Sequence, residues 1–197
     1  MNLFKQLFGK NKKNDDAENT ESPYMPDKNI PVDEMFMQNF IKNGGKFVYC
    51  ISLAEIAENF INILEENDWF EKEAICFDNR LTYLLDENKI TYKTTENPTF
   101  LLCSCENLIA DKGSILFSSN QLKEFKMDEI PKNLIVYATT SQLVNSKGDG
   151  LRTINRKYTN RPTNITTITL YKEPNEEDFL QYGSTYKNLY LLLLEDL

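Results

Sequence analysis

Three polar clusters stand directly after apolar runs in this chain, and they are where its chemistry is expected. Asp111-Lys112-Gly113-Ser114 breaks the run Leu108-Ile109-Ala110 and precedes Ile115-Leu116-Phe117, with Ser118-Ser119-Asn120 beyond. Gly113 takes a positive φ at no steric cost, so a tight turn is expected there. Backbone amides and small polar side chains so arranged suit a small anionic ligand. An ordinary hairpin turn is the plain alternative. Asp111 has three candidate roles: to ligate a polar substrate, to act as a base, or to cap the turn with its own side chain. Lys112 either pairs with a carboxylate or stands in solvent. Ser114 is a donor for an anion and, with no base beside it, a poor nucleophile.

The second cluster, Thr139-Thr140-Ser141, follows the β-rich run 133–138 and offers hydroxyls to the start of a helix expected to continue towards Tyr158. Free amides and the helix dipole at such a start favour a negative ligand, and simple capping is the alternative. The third, Gly183-Ser184-Thr185, precedes the closing apolar run 189–194 and is either a site loop or only a connection. Neither GxGxxG nor GxxxxGK[ST] occurs, so no conventional phosphate loop is expected.

The elements that must position these clusters follow from periodicity. Asp33 is placed to cap a helix ending near Lys42, with Gly44-Gly45 as its stop. Lys46–Cys50 reads as a strand. Ser52 and Glu55 form a capping box for a helix whose apolar positions Leu53, Ile56, Ala57, Phe60, Ile61 and Leu64 keep helical spacing. A short strand, 74–77, leads to a helix that Asp78 is placed to cap. Further strands are expected at 90–93, 99–103, 108–110, 115–117, 133–138, 163–170 and 189–194, and a helix at 175–181. Strands alternating with helices predict an α/β domain with a mostly parallel sheet. In such sheets ligands sit beyond the carboxyl ends of the strands, which selects the three clusters above and places Asp111–Ser114 and Thr139–Ser141 on one pocket.

Composition excludes several functions. The chain has 197 residues, 41% hydrophobic and 12% aromatic, enough for one core. Its net charge is −8, and the first thirteen residues hold four lysines and no acid, so the remainder is more acidic still. An acidic body repels phosphate backbones, so no nucleic-acid partner is expected. Histidine is absent, which removes Ser-His-Asp and Cys-His catalysis and every His-ligated metal site. Cys50, Cys76, Cys103 and Cys105 lack CxxC spacing and read as buried thiols; Cys103 and Cys105 share a strand face, the one candidate pair for metal or redox chemistry. No metal or other cofactor is expected.

Met1–Phe8 carries Leu3, Phe4, Leu7 and Phe8 on one helical face, too short for a signal peptide and weak as a membrane anchor. Residues 9–31 are too polar to order themselves. The expected organisation is a short amphipathic N-terminus and tether, 1–31, and one domain, 32–197, in the cytoplasm.

Three segments carry a likeness to a known family. Leu108-Ile-Ala-Asp-Lys-Gly-Ser-Ile-Leu-Phe117 resembles the acidic-x-Gly-Ser/Thr turn of the lactate-utilisation (LUD) domain, and Ile130-Pro-Lys-Asn-Leu-Ile-Val-Tyr137 resembles its proline-led strand. Pro162–Ile168 and the closing strand complete the match, over about 32–197, that of a short divergent member similar to lactate-utilisation protein C. The resemblance implies a three-layer α/β/α sandwich similar to the ribose-phosphate-isomerase and CoA-transferase group. It also implies an accessory role in lactate or organic-acid oxidation, with a small organic anion as ligand and an iron–sulfur oxidoreductase subunit as partner. An interaction or regulatory module on a degenerate enzyme fold is the alternative. The chain departs from the family twice. Thr169-Leu-Tyr-Lys-Glu173 replaces a Gly-Pro-Ser-x-Thr-x-Asp-Ile-Glu segment, and Gly183-Ser184-Thr185 stands where a Gly-x-His-Gly-Pro turn is usual.

Overall fold

Continuous apolar runs build the centre of the molecule. A computed structural model describes residues 30–92, 96–123, 125, 129–170 and 188–196. Five strands, β1 (Lys46–Cys50), β2 (Ala74–Cys76), β3 (Phe100–Ser104), β6 (Asn133–Thr139) and β9 (Asn188–Leu194), form one sheet in the order β1-β9-β6-β3-β2. Every pair in it is parallel. A parallel sheet is covered on both faces, so its strands are apolar on both. Accordingly Leu101, Leu134, Val136, Leu189 and Leu191 point to one face, and Phe100, Leu102, Ile135, Tyr190 and Leu192 to the other.

The second of those faces is closed by α2 (Leu53–Asn67) and α3 (Thr82–Glu87). Ile56, Phe60, Ile63 and Leu64 of α2 meet Trp69, which stacks on Phe100 with ring centroids 5.1 Å apart. The expected Ser52–Glu55 cap is present with one change. Ser52 Oγ accepts from the Glu55 amide at 3.2 Å, while the Glu55 carboxylate reaches the Ile51 amide, one residue earlier.

The opposite face is covered by α1 (Val32–Lys42) and a second, four-stranded sheet made of β4 (Asn107–Ile109), β5 (Ser114–Phe117), β7 (Leu143–Val144) and β8 (Thr166–Ile168), ordered β7-β4-β5-β8. The side-chain period of two divides this small sheet cleanly. Leu108, Ile115 and Phe117 enter the main core, whereas Ile109 and Leu116 face outward against Ile154 of α5 (Lys147–Lys157). The architecture is therefore a three-layer α/β sandwich around a parallel sheet, with β-structure in one outer layer.

Four local expectations are corrected. Pro31, not Asp33, occupies the N-cap of α1, leaving Asp33 in its first turn. Asp78 caps no helix: α3 starts after Leu81 without a side-chain cap. Of the 90–93 strand, the described residues 90–92 show one bridge, Glu73 with Thr91. The helix expected from Thr139 is a single 3₁₀ turn, Thr140–Gln142. Leu143 and Val144 then leave as β7 to pair with Leu108 and Ile109, and Ser146 caps α5 instead. Residues 1–29, the 175–181 helix and Gly183-Ser184-Thr185 lie outside the described residues.

Candidate functional site

Parallel strands end together, so their following loops converge. Beyond the carboxyl ends of β2, β3 and β6 lies a cavity of about 640 Å³. Phe77, Asp78 and Arg80 come from the loop after β2, and Ser104 and Cys105 from the end of β3. Thr139 closes β6, and Asp196 follows β9. Asn120 and Gln121 of α4 (Ser119–Leu122) and Lys157-Tyr158 at the end of α5 complete the rim.

Asp78 anchors one end. Its Oδ1 accepts from Arg80 Nε at 2.9 Å and from the Arg80 backbone amide at 3.0 Å. Its Oδ2 accepts from Arg80 Nη2 at 2.6 Å and from Ser104 Oγ at 2.7 Å. The guanidinium holds this carboxyl well down, at about 2, against the burial that opposes ionisation. Asp78 thus uses the inner edge of Arg80. Nη2 also donates to Ser104 Oγ at 3.4 Å, so the outer edge, Nη1 above all, is left for something else.

Glu106 anchors the other end from beneath. Its side chain is 1% exposed. Oε1 accepts from Ser118 Oγ at 2.6 Å, Gln121 Nε2 at 3.0 Å and Asn120 Nδ2 at 3.2 Å. Oε2 accepts from Tyr158 OH at 3.1 Å and lies 3.5 Å from Lys157 Nζ. Burial opposes the charge on Glu106. The hydrogen bonds from Ser118, Gln121 and Asn120, with the Lys157 charge, outweigh it and hold the carboxyl below its ordinary range. Burial likewise opposes the charge on Lys157, yet contact with Tyr158 and Glu106 raises its pKa, so the ammonium is charged at neutral pH.

The third wall is anionic. Asp196 Oδ1 accepts from Thr140 Oγ1 at 2.8 Å and the Ser141 amide at 2.9 Å, and Oδ2 accepts from Ser141 Oγ at 2.7 Å. Those bonds overcome partial desolvation and put its pKa at about 2. Cys103 and Cys105 sit at the base, where burial pushes both thiols up and keeps them protonated and unreactive. Among the described residues no group of three Cys, Asp or Glu side chains is arranged to hold a metal ion.

The clusters singled out from the sequence are dispersed. Thr139 lines the cavity, and Thr140 and Ser141 stand behind it, engaged by Asp196. Asp111, Lys112, Gly113 and Ser114 do not share that pocket. They form the β4–β5 turn, and β4 belongs to the small sheet, whose hairpin points at α1. Asn39 Nδ2 donates to the Ala110 carbonyl at 2.8 Å, and Asn43 Nδ2 to that of Lys112 at 2.8 Å. Gly113 does have positive φ, +56°, and Ser114 Oγ is buried without a partner.

The principal polar groups of the cavity, Asp78, Arg80, Ser104, Lys157, Tyr158 and Asp196, and Glu106 beneath it, carry no local motif. The strand-end rule points to Asp78, Ser104 and Asp196 once β9, β6, β3 and β2 are known to run side by side in that order. Nothing in the sequence marks Lys157 and Tyr158, which arrive from α5 over the small sheet.

The family model described as the LUD domain matches residues 33–188. No curated protein sequence matches the chain. Among solved structures, a DUF162 family protein from Deinococcus radiodurans superposes with a TM-score of 0.57 and 13% identity, covering 83% of this chain and 95% of that one. At that identity the likeness speaks for the fold alone. Among the described residues no helix is long and apolar enough to cross a membrane.

Proposed function

The chain belongs to the LUD domain family, and from that premise we propose that it serves lactate or organic-acid oxidation as an accessory protein, binding a small organic anion in the cavity at the strand ends. The observation that carries the reading is Arg80. Its inner edge is locked to Asp78 by two hydrogen bonds, at 2.9 and 2.6 Å, so the guanidinium is pre-oriented with its outer edge toward a ligand. A planar fork held this way matches a carboxylate and loses little freedom on binding. Lys157 supplies a second positive charge on the same cavity. The role offered is recognition, because both buried thiols are protonated and the carboxylate beside the Ser104 hydroxyl, Asp78, is held by Arg80 at a pKa of about 2, too weak a base to activate it. The partner that takes or supplies the ligand is, on the family resemblance, an iron–sulfur oxidoreductase subunit.

The alternative, an interaction module, is favoured by Ile51 and Leu53. They are 62% and 58% exposed, where β1 ends at the side of the five-stranded sheet. One calorimetric series separates the two readings: lactate, pyruvate, phosphate and a CoA thioester titrated into the full chain and into Arg80→Met. Lactate or pyruvate binding that weakens about tenfold or more in the variant supports the site, since a charge-assisted bidentate pair is worth at least that. No heat with any ligand, together with a stable protein partner recovered on the native chain but lost from a Leu53→Asp variant, selects the interaction module.

A further inference from the structure

The cavity is larger than a three-carbon acid requires. Such an acid displaces on the order of 100 Å³, the share of three or four water molecules in the liquid. The cavity holds about 640 Å³, a size that suits considerably larger ligands. It is also lined by two cations, Arg80 on the loop after β2 and Lys157 at the end of α5, and each is backed by its own carboxylate. Arg80 and Lys157 are 75% and 54% exposed, and an exposed cation alone is an ordinary surface charge. What distinguishes these two is the anchoring behind them. Asp78 spends both oxygens on Arg80 and Ser104, and the fully buried Glu106 gathers Ser118, Asn120, Gln121 and Tyr158 beneath Lys157. The remaining wall carries the ionised Asp196, which repels an anion and so leaves the Arg80 and Lys157 sides as the anionic positions.

Resting on the reading that this cavity binds organic anions, we propose that its ligand is a dianion: an organic acid whose carboxylate meets the outer edge of Arg80 and whose second anionic group, carboxylate or phosphate, meets Lys157. The Lys157 ammonium has three donors; Glu106 Oε2, 3.5 Å away, and the Tyr158 side chain engage it from behind, which leaves a donor to give.

Malate is lactate with a second carboxylate, and the pair isolates the second anchor. Lactate, malate and 3-phosphoglycerate are titrated calorimetrically into the full chain, into Lys157→Met and into Arg80→Met. Both substituted side chains are largely in solvent, so the fold is retained, and far-UV circular dichroism checks it. The expected result is malate binding about tenfold or more tightly than lactate, with Lys157→Met removing that advantage and changing lactate less than about threefold. Arg80→Met weakens all three ligands. Phosphoglycerate binding tighter than malate assigns the second group as phosphate, and the reverse order assigns it as carboxylate. Equal affinity for lactate and malate, or equal losses of both in Lys157→Met, overturns the dianion while leaving the anion site standing. No binding of any of the three overturns both.

Discussion

Glu106 shows what a single buried charge demands of its surroundings. Its carboxylate satisfies donors from the α4 turn and from the end of α5 at once, so removing it orphans the buried Ser118 hydroxyl and the half-buried Gln121 and Tyr158 donors together. Glu106→Leu is expected to destabilise the domain by about 3 kcal/mol, read as a lower urea midpoint, because unpaired donors cost more than the bonds themselves contribute. Glu106→Gln keeps the shape and part of the bonding and should cost visibly less. Asp78 makes a pH prediction. Its folded pKa, about 2, lies below the ordinary carboxylate value, so its stabilisation is complete above roughly pH 4 and is lost as pH falls towards 2. The effect is on the order of 1 kcal/mol once the solvent around Arg80 is allowed for. Urea titrations at pH 4.5 and 2.5 should show this loss in the native chain and a smaller one in Asp78→Asn. Equal losses in both would mean that the Asp78–Arg80 pair contributes nothing to stability.

At the scale of elements, the β4–β5 turn is a docking device. The amides of Asn39 on α1 and of Asn43, its C-cap, hold its carbonyls, and Gly113 lies directly against the helix backbone. A Cβ at Gly113 would come within 2.4 Å of the Asn39 carbonyl carbon and the Phe40 nitrogen, at a φ of +56° that L side chains avoid. Gly113→Ala is therefore expected to lose about 2 kcal/mol or more, since neither backbone can give way without parting hairpin from helix. Lys112→Ala, one residue away on the exposed side of the same turn, should stay within about 0.5 kcal/mol in the same melt. A small effect at Gly113 would show that the hairpin is free to move off α1.

For the whole molecule, the question is whether two sheets make one folding unit. The shared core joins Leu101, Val136 and Leu191 of the parallel sheet to Leu108, Ile115 and Phe117 of the small one, with Phe36 and Phe40 of α1 between them. A common core predicts a single cooperative transition. Trp69, the one tryptophan in the chain, reports on the opposite face of the parallel sheet. Its fluorescence and the far-UV circular dichroism should therefore give coincident urea curves. A fluorescence transition that lags the circular dichroism would show the small sheet and α5 unfolding first.

How far the chain could be read depends on the range of the physics involved. The α/β class, the α2 helix and the strands around 108–110, 115–117, 134–138 and 189–194 were legible because burial on both faces writes itself as unbroken apolar runs, and a helix face as 3.6-residue spacing. The turn at Gly113 was legible for an equally local reason, its freedom at positive φ. The second sheet was not. Leu143-Val144 is too short to announce a strand and becomes one only because Leu108-Ile109 lies alongside it. For the same reason Thr139-Thr140-Ser141, read as the start of a long helix, ends after one turn, its hydroxyls taken by Asp196 from the far end of the chain. The cavity followed the same rule. That ligands lie beyond strand ends was known from the class. Which strand ends meet depends on the order β1-β9-β6-β3-β2, and hydrophobic runs do not encode order. Asp78 looked like a helix cap and nothing marked Glu106 until β2, β3 and β6 came side by side and α4 and α5 closed over them. Local sequence determined which segments are buried, and long-range pairing alone decided which charges were brought together.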